Sequence, residues 1–394
     1  MKSDRSLSRW ALYATVFTSG MVTLAVELSA SRLLGSVFGT SNLIWANVIG
    51  LILLYLTAGY FIGGRWADRS PYPSTLYTIL IWAAFLSALI PLAARPVLRA
   101  AASAVVAAEA GTAIGSFVVT ILLFAVPITL LGMVSPFAIR LAIVDPKDAG
   151  RVSGAIYAVS TLGSLVGTFL PVLLILPEVG TTGTFILFSG TLWLLAFAMA
   201  VKYSGLRALR WLWMPAAVGV LVVLVSGPLR AAPAGMSLLY DRESAYNYIQ
   251  VLEDTSGYRT LALNEGQGVH SIYHPTILRY KGTWDYFLAA PYFSADTQPD
   301  DVTSLLVIGL AAGTIPRQYQ HVYGDIRMVG IEIDPAVIEA GRLYFGMSPS
   351  EMPSLEAIGA DGRLALNGLT DKFDVIALDA YRPPYIPWHL TTLE

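Results

Sequence analysis

The sequence contains no cysteine, which excludes disulfides, thiolate catalysis and Cys-ligated zinc and leaves the redox compartment open. Charge is scarce: Asp, Glu, Lys and Arg make up 13% of the residues, against about 25% in a soluble globular domain. The formal net charge of −2 leaves no basic surface for nucleic acid, and none is expected as a partner. Histidine is scarcer still. All 4 lie after residue 269, too few for a His-based metal site, so no metal is expected. What abounds is apolar: 55% of the 394 residues are hydrophobic and the mean hydropathy is +0.61. Such a chain reads as an integral membrane protein with a soluble appendage. The lipid bilayer is its first expected partner, and the cell (inner) membrane its location.

A hydrocarbon core takes about 20 apolar residues to cross. Seven stretches qualify: 10–34, 43–63, 75–94, 116–134, 153–176, 184–201 and 211–225. The basic start "MKSDRSLSRW" precedes a run long enough to span, so it reads as an anchor rather than a cleaved signal. Residues 95–115, alanine-rich and carrying Arg95, Arg99 and Glu109, read as an interfacial or re-entrant helix.

Loop cations set the orientation. With the N-terminus inside, 11 fall on the inner side: Lys2, Arg5, Arg9, Arg65, Arg69, Arg140, Lys147, Arg151, Lys202, Arg207 and Arg210. Only Arg32, Arg95 and Arg99 fall outside. Seven crossings then carry the C-terminal part to the face opposite the cytoplasm. Glu27, in the first span, should face the bundle interior and find a partner, either as an ion pair or in a polar path. "GGRWADR", 63–69, is similar to the Gly-x-x-x-Asp-Arg loop of major-facilitator transporters, although seven spans are too few for that fold. Gly163 and Gly167, at GxxxG spacing, predict close helix packing.

After Pro228 the composition changes. The expected organisation is a transmembrane domain over 1–227, a linker over 228–236, a small β-domain over 237–294 and a Rossmann-like domain over 295–394. "YNYIQVLE" and "YRTLALN" read as a hairpin turning at "DTSG", "HSIYHP" as a further short strand, and 283–293 as a helix. Next comes "SLLVIG", a continuous apolar strand as in a buried parallel sheet, then "GLAAGT", a small-residue turn. "RMVGIEID", "LEAIGADGR" and "FDVIALDAY" supply three more strands, ending near Glu332, Asp361 and Asp379.

Strand ends are where the crevice of an open α/β sheet collects ligands. Gly309, Ala311 and Gly313 let the backbone turn sharply and approach one. A carboxylate such as Glu332 accepts from both hydroxyls of a ribose diol. Asp361 suits an exocyclic adenine amine, and Asp379 a substrate amine or its departing proton. No cation flanks the turn before Arg317, so the pocket suits an uncharged nucleoside better than a triphosphate.

With these segments in order, residues 241–394 resemble the spermidine/spermine synthase (polyamine aminopropyltransferase) family, and more closely its membrane-fused branch. "DRESAYNYIQV", "LALNEG", "VHSIY", "VIGLAAGT", "VGIEIDP", "GADGR" and "DVIALDAYRPPYIPWHLTT" carry the resemblance. "LGMVSPFAIRLA" and "YAVSTLGSLVGTFLP" are similar to that branch's membrane portion.

The resemblance implies a small β-domain on a methyltransferase-like Rossmann domain. It also implies aminopropyl transfer from decarboxylated S-adenosylmethionine to a small amine, releasing methylthioadenosine. Glu332 matches the ribose-binding Glu and Asp361 the adenine-binding Asp. Asp379 matches the acid that helps deprotonate the attacking amine, Tyr286 a substrate tyrosine, and His270 lies near a substrate-binding Gln.

Two positions depart. Ala312 stands where the family's glycine turn carries an Asp that grips the donor's positive end, and Arg382 stands for the second Asp of the paired motif. Both changes disfavour a polyammonium ligand. Only four Rossmann strands are legible, fewer than a methyltransferase-like sheet needs. Further chain, a second copy or a membrane-complex partner is therefore expected to cover the edge of the fourth strand. Three readings follow: an aminopropyltransferase, a catalytically degenerate binding or assembly subunit of a membrane complex, and a transporter with a nucleoside- or polyamine-sensing domain.

Overall fold

The computed structural model describes residues 8–39, 41–105, 111–225, 227–264, 266, 268–294, 296–381 and 387–392. Lys2, Arg5, Glu109 and Arg382 lie outside the described residues, as does the side chain of Arg99. The chain divides into two compact units, Met1–Arg230 and Ala231–Glu394.

The first unit is helical: α1 (Arg9–Phe38), α2 (Asn42–Arg69), α3 (Pro73–Val105), α4 (Gly111–Gly132), α5 (Val134–Ala142), α6 (Ala149–Leu170), α7 (Leu176–Ser204) and α8 (Trp213–Leu224). Ser8 and Ser41 cap α1 and α2 by accepting from the amides of Ala11 and Ile44. Among the described residues, five continuous helical segments are long and apolar enough to cross a membrane: 9–38, 42–69, 73–98, 113–142 and 146–224. The last covers 79 residues but is not one rod. A π-type turn at Pro171–Ile175 separates α6 from α7, positive φ at Gly180 (68°) kinks α7, and positive φ at Gly205 (61°) ends it before α8.

The expected separate helix over 95–115 is corrected, because α3 runs unbroken through Pro91 and Pro96 to Val105. The last expected span, 211–225, contains α8, whose 12 residues reach about 18 Å at 1.5 Å per residue. It is led in by a 3₁₀ stretch, Gly205–Leu212.

The expected close packing is present: a Cβ on Gly163 or Gly167 would overlap the carbonyls of Phe17 or Met21, so α6 lies directly on α1. Glu27 is half-buried and makes no hydrogen bond or ion pair with another described residue. The partner expected for it is therefore not among them.

The second unit opens with an antiparallel meander, β1 (Met236–Glu243), β2 (Tyr248–Asp254), β3 (Arg259–Leu263) and β4 (Val269–Tyr273), in sheet order β1-β2-β3-β4. β1 starts within the expected linker and pairs with β2 along its length. The helix expected over 283–293 is shorter: α9 is Thr283–Phe287, and a 3₁₀ turn follows at Ala290–Phe293, where Pro291 cannot donate to a continuing α-helix.

A parallel sheet follows: β5 (Ser304–Ile308), α10 (Thr314–Tyr323), β6 (Arg327–Glu332), α11 (Pro335–Tyr344), β7 (Leu355–Gly359), α12 (Gly362–Gly368) and β8 (Val375–Leu378), with strand order β7-β6-β5-β8. Successive β5 side chains enter different cores. Leu305 and Val307 pack with Ile315, Tyr319 and Met328, while Leu306 and Ile308 pack with Val329 and Ile331. Burial on both faces explains the continuous apolar runs. The chain steps from β5 to β6 to β7 on one side and places β8 on the other, so the switch point lies between β5 and β8. In such sheets ligands bind there, beyond the carboxyl ends of the strands.

Candidate functional site

The chain leaves β5 into the turn Gly309–Gly313. The Gly309 amide donates to the Ile331 carbonyl at 2.9 Å, and its φ is 88°. A Cβ on Gly309 would sit 2.5 Å from the Asp379 carbonyl oxygen, so the turn rests on the end of β8 and only glycine fits. Ala311 also holds a positive φ, 48°, where a side chain is uncommon. That conformation aims its N–H at Glu332, whose Oε2 accepts it at 2.9 Å. Gly313, with φ 84°, starts α10.

Glu332 ends β6. Its Oε1 accepts from the Asp334 amide at 3.1 Å, so backbone donors hold both carboxylate oxygens, and the carboxylate keeps acceptor capacity for an incoming hydroxyl. Burial raises its pKa above the usual carboxylate range, and the backbone donors oppose that rise. Asp361 follows β7 and caps α12: Oδ1 accepts from the amides of Arg363 (3.0 Å) and Leu364 (3.1 Å). Its Oδ2 bonds to no other described residue, so the cap leaves one oxygen for a ligand amine. Asp379 follows β8. Its carboxylate makes no hydrogen bond to a described residue, and burial lifts its pKa to about 6.

Across the sheet the groups therefore stand in the order Asp361, Glu332, glycine turn, Asp379, which is the order of their strands. The structure brings together the turn and all three expected acids.

The meander closes on the same turn. The Ala312 amide donates to Ser271 Oγ at 2.9 Å, and Thr314 Oγ1 bonds both the amide and the carbonyl of Ile272 at 3.0 Å. This docks β4 on the turn, with His270 half-buried beside it. Tyr286 lies on α9 and is 78% exposed.

Ala312 is 1% exposed and packs in an apolar cluster with Ile249, Val251, Leu261, Ala336 and Val337. The family's acid would have to occupy that cluster here.

One residue escaped the sequence reading. Asp334, 1% exposed, accepts from Ser244 Oγ (2.5 Å) and Asn247 Nδ2 (2.8 Å) through Oδ2, and from the Ala336 amide (3.1 Å) through Oδ1. It caps α11 and ties the β1–β2 turn to it. "EIDP" signalled it through the Asp-Pro helix start, but its partners lie some 90 residues away.

No family model matches the chain. It is 33% identical over 162 residues to a "probable polyamine aminopropyl transferase" of Bifidobacterium longum (strain NCC 2705), a match covering 40% of this chain and 33% of the relative. It is 28% identical over 166 residues to a "polyamine aminopropyltransferase" of Vibrio vulnificus (strain CMCP6), covering 40% of this chain and 53% of that one. The chain thus spans a third of the first relative's length and about half of the second's. A solved structure, spermidine synthase from Thermotoga maritima, aligns over 37% of this chain and 47% of its own, with 22% identity and a TM-score of 0.29. On the sequence matches, the C-terminal part of this chain is related to the spermidine synthase (polyamine aminopropyltransferase) family.

Proposed function

We propose that the C-terminal unit binds decarboxylated S-adenosylmethionine along the ends of β7, β6, β5 and β8 and transfers its aminopropyl group to a small amine. The row of Asp361, Glu332, the glycine turn and Asp379 at the switch point carries this reading. Adenine would meet Asp361, the ribose diol Glu332, and the reacting centre the Asp379 end. There the amine nitrogen attacks the methylene carbon beside the sulfonium. The carbon–sulfur bond breaks, methylthioadenosine leaves, and the amine's proton passes to Asp379. A base with a pKa of about 6 is ionised at neutral pH yet close enough to it to accept a proton. His270 and Tyr286 remain substrate-binding proposals on resemblance alone.

Two outcomes test the site. Glu332→Gln should weaken methylthioadenosine binding by about 1.5–3 kcal/mol, the range for hydrogen bonds to a charged group. Titration calorimetry reads this, and equal affinity in the variant would refute the ribose assignment.

The second concerns pH. The folded pKa of Asp379 is raised, so its ionisation opposes folding. Stability from this group is full below about 4, the ordinary range of an aspartate carboxyl, and is lost as pH rises through about 6. Asp379→Asn should therefore raise stability at pH 8 by about 1–2 kcal/mol, allowing for partial exposure, and give no gain at pH 4. The same variant should remove the rise in transfer rate through pH 6. Thermal melts at the two pH values check the first part; an equal shift at both would refute it.

Burial of Ala312 favours a second reading, a unit that keeps the nucleoside pocket but no longer holds a polyammonium chain and serves as a binding or assembly subunit. Incubating the full-length protein with decarboxylated S-adenosylmethionine and putrescine separates the two. Methylthioadenosine release supports the enzyme; binding without turnover supports the subunit.

The first unit is proposed as a multi-pass domain of the inner membrane, with a cytoplasmic N-terminus and the second unit on the opposite face. The 11-to-3 cation bias supports this. So does the course of the last segment along α3. Tyr203 stacks on Tyr77, Trp211 meets Trp82 and Trp213 meets Phe85 edge-to-face, and Arg95 donates to the Val225 carbonyl. From Tyr77 to Arg95 is about 27 Å of helix, nearly a hydrocarbon core, so the 3₁₀ lead-in and α8 together supply a seventh crossing. Adenosyl sulfonium donors are made in the cytoplasm, so a unit outside would favour the binding reading. A green fluorescent protein fused after Glu394 should be dark; a bright one would favour the enzyme. The edge strand β8, with Ile376 61% exposed, is where further chain, a second copy or a partner would add a strand.

A further inference from the structure

The cytoplasmic end of α2 carries features that the aminopropyl chemistry does not use. A cavity of about 480 Å³ is lined by Ile62, Arg65, Trp66, Arg69 and Ser70. Residues 62, 65, 66 and 69 share one face of the helix. The adjacent face is fixed against α4 and α5: Ala67 is buried, and a Cβ on Gly63 would strike Met133. That packing leaves the cavity face turned outward.

Its charge is unbalanced. Asp68, the nearest acid in sequence, pairs with Arg140 at 3.2 Å. Arg65 and Arg69 are exposed, and neither makes a hydrogen bond or ion pair with another described residue. One helical turn apart, they have Cβ atoms about 6 Å from each other, which lets both guanidinium forks reach one phosphate. Trp66 stands between them, its ring held edge-on to Phe137 with centroids 6.4 Å apart. Ile62, 45% exposed, continues the face toward the apolar body of the helix. The lining thus offers two cations, an indole and an apolar side chain, the chemistry that suits a phosphate, a glycerol and an acyl chain.

We propose that the basic end of α2 binds the phosphodiester headgroup of an anionic phospholipid. Arg65 and Arg69 grip the phosphate, Trp66 covers the glycerol region and Ile62 meets the first methylenes. A zwitterionic headgroup would bring its own cation to a pocket that already holds two. The inference rests on the bilayer placement proposed above; release of the chain from membranes without detergent would overturn that placement separately.

Native mass spectrometry of the full-length protein in detergent tests the site, with phosphatidylglycerol, phosphatidylcholine and inorganic phosphate as separate probes. The wild type should retain phosphatidylglycerol in preference to phosphatidylcholine. Arg65→Gln with Arg69→Gln should lower that retention by about tenfold, as expected when charge-assisted bonds to phosphate are lost. Arg207→Gln with Arg210→Gln, a cation pair elsewhere, should leave it unchanged. Equal retention by the Arg65/Arg69 variant, or equal binding of the two lipids by the wild type, would overturn the proposal. Displacement of the lipid by equimolar inorganic phosphate would also overturn it, assigning the pocket to a free anion. If the double variant fails to fold, the wild-type comparison of the two lipids still decides.

Discussion

Ala312→Asp is expected to destabilise the C-terminal unit by about 3–5 kcal/mol, the cost of a buried charge without a partner. Judged by charge alone, adding the acid that the family resemblance implies for this turn should improve the grip on a cationic donor. Packing decides otherwise. The Ala312 side chain is enclosed by Ile249, Val251, Leu261, Ala336 and Val337, none of which offers a donor, and its own amide is committed to Ser271. An aspartate would have to stay protonated there or force the meander away from α11. Thermal melts of the full-length protein should show the second unit's transition falling, and calorimetry should show no gain in spermidine affinity. An unchanged melt with tighter spermidine binding would mean that the side chain reaches the ligand cleft, and the enzyme reading would gain accordingly.

Asp334→Ala is the other large effect, about 3–4 kcal/mol. The variant removes the cap of α11, worth about 1 kcal/mol. It also removes the acceptor of Asn247 Nδ2 and the shorter of two acceptors of Ser244 Oγ, which keeps the Asn247 carbonyl at 3.2 Å, at about 1–3 kcal/mol in all. The loss spreads further through the network. Ser244 Oγ accepts from the amides of Tyr246 and Asn247, and Asn247 Oδ1 accepts from Asn264. Asp334→Asn keeps an oxygen for the Ala336 amide and should cost less than the alanine. Urea unfolding of the two variants checks the ranking; a cost below about 1 kcal/mol for Asp334→Ala would show that the meander is held without this hub.

Much of the second unit is legible in the sequence. β5 and β6 announce themselves as unbroken apolar runs because both faces of the sheet are covered, and the strand ends locate Glu332, Asp361 and Asp379. β1 was not legible as a strand: it is half exposed, bears Asp241, Arg242 and Glu243, and has a register shift between Leu238 and Tyr240 that blurs any alternation. Asp334 was hidden because its partners are remote in sequence. Ala312 was read as a missing charge because side-chain packing leaves no mark on a motif. In the helical unit, the apolar periods were clear but their punctuation was not. Pro91 and Pro96 did not end α3, while Gly180 and Gly205 did break a later run by taking positive φ. Tyr286 was placed by resemblance as a substrate tyrosine, and in the structure it is 78% exposed on α9.

Titration calorimetry of the intact, detergent-solubilised protein with methylthioadenosine tests the central claim most directly. The account predicts one saturable site per chain. It also predicts that Gly309→Ala, whose Cβ would press on the Asp379 carbonyl, weakens that site. No saturable binding by a wild-type protein whose second unit melts cooperatively would contradict it.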